Sequence, residues 1–136
     1  AAFATTGQRC TCTRRIVLHA DIADAFIEVF CKVASTIVVG PGDSTGPVFM
    51  GPLISADAVD SVLAFQDDLH ERGGRVLVQS TRIDGEGHFV TPGVVLVDRF
   101  RAEEDRECFG PLVQIAIASD LDDAAQKACS SLSASA

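Results

Sequence analysis

The residues best suited to chemistry surround Cys10, within residues 5–15 (TTGQRCTCTRR). A cysteine attacks as its thiolate, and only about a few per cent of an ordinary cysteine is ionised at neutral pH. Arg9, Arg14 and Arg15 flank Cys10, and no acidic residue precedes position 21. This local positive charge favours the thiolate, so the sequence predicts a nucleophile at Cys10. The alternative is that Cys10 is a small buried apolar residue, as most single cysteines are.

The overall charge is opposite to that of this stretch. The chain has 136 residues, with 19 acidic and 11 basic side chains and a net charge of -8. Nucleic acids and anionic membranes bind clustered lysines and arginines, so we expect neither as a partner and expect a small molecule instead. No apolar run approaches the roughly 18 residues that span a bilayer, and the expected location is the cytoplasm.

The cysteines do not form a framework for disulfides or metal. There are five, at positions 10, 12, 31, 108 and 129, an odd number at irregular spacing. Cys10 and Cys12 are too close for a CxxC pair, no second pair follows, and the three histidines are scattered. We therefore expect a reducing compartment and no metal site.

Two long helices are predicted to position this stretch. Residues 14–19 (RRIVLH) read as a strand that leads into a helix near Asp21. Its core-facing stripe is predicted from helical spacing to be Ile22, Phe26, Val29, Phe30, Val33 and Ile37. Ser55 should cap the second helix, and residues 73–74 (GG) should end it. Its predicted buried face is Val59, Val62, Leu63 and Leu69.

Three more segments are predicted strands, at residues 75–79, 89–97 and 112–118, and Asp120 begins a last helix before a small-residue tail at 130–136. The strands are apolar throughout rather than alternating, which is typical of strands covered on both faces. The predicted fold class is α/β, an open, largely parallel sheet with helices on both faces, and residues 1–136 form one domain.

A second candidate stretch is residues 101–111 (RAEEDRECFGP). By itself it reads as a solvated charged loop that ends in a Gly-Pro turn. Three segments taken in order say more: GQRCT at residues 7–11, MGPLIS at 50–55 and ECFGP at 107–111. Together they resemble the aldehyde dehydrogenase superfamily over most of the chain. The longer GQRCTCTRR is most similar to its N-succinylglutamate-semialdehyde dehydrogenases of arginine catabolism.

The resemblance implies an oxidoreductase and assigns roles to three residues. Cys10 matches the family nucleophile, which attacks the aldehyde carbon to give a thiohemiacetal and then, after hydride loss to NAD or NADP, a thioester. The backbone N–H of Cys10 would be one oxyanion donor. Glu107 matches the residue that binds the nicotinamide ribose, and Phe109 matches the aromatic residue that lines the nicotinamide site. A homo-oligomer is also expected, because a fragment by itself would expose apolar faces that otherwise meet the rest of the enzyme.

The sequence departs from the family pattern before the cysteine motif. The family's general-base glutamate, oxyanion asparagine and nucleotide-binding domain precede the cysteine motif and do not occur in these 136 residues. The sequence thus predicts a fragment of the catalytic domain that is inactive in dehydrogenation by itself. The alternative is a non-catalytic α/β module that keeps the fold for packing or partner contact. Arg9, Arg14 and Arg15 could bind substrate carboxylates or be structural, and none is assigned.

Overall fold

The computed structural model describes residues 1–100 and 107–129. Its strands are β1 (Arg15–His19), β2 (Arg75–Val78), β3 (Gly93–Leu96) and β4 (Leu112–Ala118). Its helices are α1 (Ala20–Ser35), α2 (Ala56–Glu71) and α3 (Leu121–Cys129), and a short turn at Ala4–Gly7 precedes β1. The predictions for residues 101–106 and for the tail at 130–136 lie outside the described residues.

The four strands form one sheet in the order β1-β4-β3-β2. Strand β4 is parallel to β1 and to β3, and β2 is antiparallel to β3 at the edge. The prediction of an open, largely parallel sheet is therefore confirmed. Arg15 pairs with Gln114, near the start of β4. Because β1 and β4 run parallel from neighbouring starting points, the loops that precede them lie at the same end of the sheet.

Helices cover both faces of the sheet, as predicted from the apolar strands. Adjacent residues of β3 point in opposite directions, so Val95 packs with Val59 and Leu69 of α2, while Val94 packs with Ala23 and Ala34 of α1. Strand β4 is buried at every position except the half-buried Ile117. Burial on both faces explains why its sequence is almost continuously apolar.

The predicted core stripe of α1 is largely wrong. The side chains of Ile22, Phe26, Val29 and Val33 are exposed, by between 37% and 62%. The sheet instead contacts the side of the helix about a third of a turn away, where the residues are Ala23, Ile27, Phe30, Cys31 and Ala34. Phe30 and Ile37 of the predicted stripe do pack on this core, and Cys31 packs there as well.

The ends of α2 agree with the prediction. Ser55 Oγ accepts a hydrogen bond from the backbone N–H of Ala58 at 3.2 Å, which caps the first turn. At the other end Gly73 has φ +93, and the N–H of Gly74 donates to Leu69 O at 2.8 Å. These bonds close the last turn, and the chain then enters β2. Of the predicted buried face, Leu63 is only partly buried.

The remaining boundaries differ from the prediction by a few residues. Helix α1 begins at Ala20, with His19 as its N-cap and Asp21 in its first turn. Strand β3 begins at Gly93 instead of residue 89, because Pro92 has no N–H to donate. Val90 pairs only in an isolated bridge with Arg82. Within residues 1–100 and 107–129, no helix has the length and apolar character needed to cross a membrane.

Candidate active site

A left-handed turn precedes Cys10. Thr5, Thr6 and Gly7 have φ values of 51, 56 and 68. Such backbone costs on the order of 1–3 kcal/mol for each non-glycine residue, so the surroundings must hold it. Thr6 is buried, and its hydroxyl donates to the backbone oxygen of Gly51 at 3.1 Å. The turn is therefore tied to the MGPLIS segment.

The side chain of Gln8 makes a second tie to the same segment. Its amide nitrogen donates to Pro52 O at 3.3 Å, and its amide oxygen accepts from the N–H of Ile54 at 2.9 Å. One side-chain amide thus satisfies a carbonyl and an N–H of one loop, as a paired strand would. Because Ser55 then caps α2, the cysteine loop is fixed relative to that helix.

Gly7 brings the cysteine loop against the ECFGP segment. A Cβ atom at Gly7 would collide with the backbone carbonyl of Gly110, and a Cβ at Gly110 would collide with Val62 of α2. Only glycine allows this approach of two backbones. The distance between the two motifs in the fold is therefore set by backbone contact as well as by side-chain hydrogen bonds.

Arg14 connects the two motifs directly through three backbone oxygens. Its Nη2 donates to Arg9 O at 2.9 Å, and its Nη1 donates to Cys10 O at 3.3 Å. Its Nε donates to Cys108 O at 3.1 Å. The guanidinium thus holds the cysteine loop on one side and the ECFGP segment on the other.

Arg14 also contacts both residues assigned to cofactor binding. Its Nη1 lies 3.7 Å from a carboxylate oxygen of Glu107, and its guanidinium carbon lies 4.6 Å from the centre of the Phe109 ring. The Arg14 side chain is 15% exposed, whereas that of Glu107 is 60% exposed and Phe109 is 44% exposed. The side chains of Glu107 and Phe109 are therefore exposed to solvent, while the Arg14 side chain that contacts both is mostly buried.

Cys10 is exposed, so the alternative that it is a buried apolar residue is wrong. The neighbouring Cys12 is half-buried, and its sulfur lies 3.6 Å from Ala4 O. Cys108 is buried, and burial raises the pKa of the Cys31 thiol. Cys10 is the cysteine of this loop that an electrophile can reach most easily. Among the described residues, no group of three or more potential ligands is placed to bind a metal.

The structure brings the cysteine, MGPLIS and ECFGP segments together at one end of the sheet. Cys10, Glu107 and Phe109 are connected through Arg14, which sequence reasoning left unassigned. Thr6 and Gln8, which bind the MGPLIS loop, were also missed. The sequence did carry a hint for Gln8. Its side-chain amide and the backbone groups of the MGPLIS loop all need hydrogen-bond partners, so a contact between them could have been expected.

The fold and the site together define an α/β protein that presents an exposed cysteine on a loop at the end of a largely parallel sheet. The chain belongs to the aldehyde dehydrogenase family, whose model matches residues 1–134. This confirms the resemblance in the three motifs.

Individual relatives agree with this membership. N-succinylglutamate 5-semialdehyde dehydrogenase from Serratia proteamaculans (strain 568) is 40% identical over 124 residues, which cover 90% of this chain and 25% of that protein. A putative aldehyde dehydrogenase from Burkholderia cenocepacia, known as a crystal structure, is 35% identical with a TM-score of 0.80, over 93% of this chain and 27% of the other.

Betaine aldehyde dehydrogenase from Staphylococcus aureus, solved with NAD+ and a BME-modified cysteine, is 25% identical with a TM-score of 0.81. That alignment covers 93% of this chain and 26% of the other. The chain thus spans about a quarter of the length of the relatives it matches.

Proposed function

We propose that this chain is the cysteine-bearing part of an enzyme that oxidises an aldehyde to a carboxylic acid. The observation that carries the proposal is the convergence of the exposed Cys10 loop with Glu107 and Phe109 on a single arginine. The nucleophile and the two cofactor-binding residues occur nearly 100 positions apart, yet Arg14 fixes them in one place. A nucleophile held beside two cofactor-binding residues is the arrangement that an oxidation with a cofactor requires.

In the proposed mechanism Cys10 is the catalytic nucleophile. Its sulfur forms a bond to the aldehyde carbon, and the carbonyl oxygen becomes the oxyanion of a thiohemiacetal. A nicotinamide cofactor held by Glu107 and Phe109 would supply the acceptor for the hydride that leaves this carbon. The thioester that remains on Cys10 is hydrolysed, which releases the acid and regenerates the thiol.

The residues present fit a nicotinamide cofactor, NAD or NADP. Glu107 offers an exposed carboxylate, which accepts hydrogen bonds from sugar hydroxyls. Phe109 offers an exposed ring. Arg14 covers one face of this ring, and the other face can pack against a flat heterocycle such as nicotinamide. The Staphylococcus aureus relative, solved with NAD+, supports this proposal.

We propose a semialdehyde of the succinylglutamate type as the substrate, on the basis of the Serratia proteamaculans relative's name. This substrate would place the enzyme in arginine catabolism. From the net charge of -8 we propose a small-molecule partner rather than nucleic acid or membrane, and from the lack of a long apolar run we propose the cytoplasm as the location. The carboxylates of this substrate call for cationic partners. Arg14 already binds backbone oxygens and Glu107, so Arg9 and Arg15 are better candidates for that role.

The 136-residue chain is proposed to be one domain that does not turn over by itself. It corresponds to about a quarter of the length of its relatives, and the other three quarters of their length are not matched by these residues. The same observation favours a second candidate, a non-catalytic module in which Cys10 is only structural. The two candidates differ in whether Cys10 is required for oxidation.

The deciding experiment is an oxidation assay on the product of the gene that contains this sequence. With N-succinylglutamate semialdehyde and either NAD+ or NADP+, we expect formation of the reduced cofactor. Cys10→Ala should lower kcat by at least about a thousandfold, because the covalent route is lost. The matched control is Cys129→Ala, since Cys129 is also exposed but lies on α3. Unchanged turnover in Cys10→Ala would refute the assignment.

A further inference from the structure

We infer that Arg14 is a positioning residue that orients the Arg9–Cys10 peptide, so that the N–H of Cys10 is presented to the oxyanion formed on the substrate. The inference rests on the proposed function and assigns a role to a residue outside the three matched site positions. It follows from the hydrogen bonds of Arg14 and from the geometry of the peptide group.

The first step is the planarity of the peptide bond. In a trans peptide the C=O and the N–H lie in one plane and point in opposite directions. Arg14 Nη2 holds the oxygen of Arg9 at 2.9 Å, and the N–H of Cys12 donates to the same oxygen at 3.1 Å. With two donors on its oxygen this peptide cannot rotate freely, so the N–H of Cys10 is fixed pointing away from Arg14.

The second step is that this N–H is available. Among residues 1–100 and 107–129, the backbone N–H of Cys10 donates no hydrogen bond to a backbone oxygen. Cys10 is exposed, so a substrate oxygen can reach the N–H as the sulfur attacks. Arg14 Nη1 holds the oxygen of Cys10 as well, which restrains the next peptide in the same way.

The third step concerns the choice of arginine. The guanidinium carries donors on three nitrogens in one rigid plane, and Arg14 uses Nη1, Nη2 and Nε on three different carbonyls. A lysine ammonium at this position is a flexible point charge and cannot hold three oxygens in fixed directions. The side chain is 15% exposed, so it is kept in place by packing against Phe109 and Glu107.

Two reactions of Cys10 separate positioning from simple reactivity. Alkylation by iodoacetamide forms a C–S bond and expels iodide without creating an oxyanion. Acylation by p-nitrophenyl acetate forms a C–S bond to the carbonyl carbon, passes through a tetrahedral oxyanion, and expels p-nitrophenolate to leave an acetyl thioester. The thiol proton goes to the buffer in both cases. Only acylation uses an oxyanion donor.

The experiment measures both rates at Cys10 by mass spectrometry, on the chain in a Cys12→Ser background. Loss of one well-placed donor costs about 10²–10³-fold elsewhere. We therefore expect Arg14→Ala to lower acylation by roughly ten- to a hundredfold relative to alkylation, and Arg14→Lys to recover only a few-fold of that loss. Arg82→Ala is the control, since Arg82 pairs with Asp60 away from the site.

The outcomes distinguish the two proposals. If neither reagent modifies Cys10 of the parent chain faster than Cys129, the proposed function fails. If Cys10 is reactive but Arg14→Ala lowers both rates equally, the positioning role is refuted. Should Arg14→Ala not fold, as judged by circular dichroism, Arg14→Lys decides: an unchanged ratio of acylation to alkylation contradicts the inference, and a lowered ratio supports it.

Discussion

Arg14 shows how one side chain can organise a site without being a nucleophile, acid or base. Sequence reasoning noted it only as one of three cations near Cys10. In the structure its guanidinium binds carbonyl oxygens and Glu107. Arg14 therefore stabilises the conformation of the loop, besides adding positive charge near Cys10. An arginine that is largely buried and bonded to several backbone oxygens is a structural element of the site.

The cysteines of this chain should differ in their dependence on pH. Burial against the sheet raises the pKa of the Cys31 thiol above its ordinary value of 9.0. We expect alkylation of Cys31 in the folded chain to stay slow near pH 8 and to rise only above pH 9, because the thiolate is the reactive form. Adding urea should restore the rate of an ordinary thiol.

The same shift affects stability. Because the folded pKa is the higher one, the contribution of Cys31 is fully present below the unfolded pKa and is lost as the pH rises through the folded pKa. The free energy of unfolding should fall above pH 9, and it should fall less in Cys31→Ala. Equal labelling of Cys31 at pH 8 with and without urea would contradict this account.

At the scale of elements, the structure shows which features the sequence determined. Capping by Ser55, the glycine end of α2 and the span of β4 were predicted correctly because each depends on local chemistry. The face of α1 was not, because this helix carries apolar residues around more than half its circumference. Periodicity selects its largest side chains, whereas the sheet packs against the smaller Ala23 and Ala34, which allow close approach.

The site was predictable in part for the same reason. The three motifs were identified, with Cys10, Glu107 and Phe109, by their resemblance to a family. Their connection through Arg14 joins residues more than 90 positions apart, and no local pattern indicates such a contact. The left-handed turn at Thr5 and Thr6 was also unexpected, since these residues avoid positive φ unless tertiary contacts impose it.

The close approach of the cysteine loop to the ECFGP segment gives a prediction for Gly7. Gly7→Ala places a methyl group against the carbonyl of Gly110 at φ +68, so we expect a loss of about 2 kcal/mol or more in urea unfolding. Gly42→Ala is the matched control, because nothing lies within 4 Å of its Cβ position. Both changes reduce the entropy of the unfolded chain equally. Equal stabilities of the two variants would show that Gly7 makes no such approach.

At the scale of the whole molecule, the exposed side of α1 carries four large apolar side chains. Ile22, Val29 and Val33 are each more than half exposed, with Phe26 beside them. Exposing such a continuous apolar stripe to water is unfavourable, and stripes of this kind are usually covered by another protein surface. The homo-oligomer expected from the sequence is therefore proposed to use this helix face, with a second copy as the occupant.

Light scattering on the chain tests this association. We expect a mass above the 14.3 kDa monomer at high concentration, and a shift toward the monomer in Val29→Lys. Glu28→Gln is the control, since it changes the net charge by the same amount on the same helix and leaves the stripe intact. A parent chain that stays monomeric and monodisperse would refute self-association through α1.

The central claim is that Cys10 is a tuned nucleophile, and the most direct test is competitive alkylation of the five cysteines at neutral pH with mass spectrometry. Cys10 and Cys129 are both exposed, so exposure alone predicts similar rates. We expect Cys10 to react roughly tenfold faster than Cys129, because its loop is electropositive and Cys129 follows the acidic start of α3. Equal rates at Cys10 and Cys129 would contradict the account.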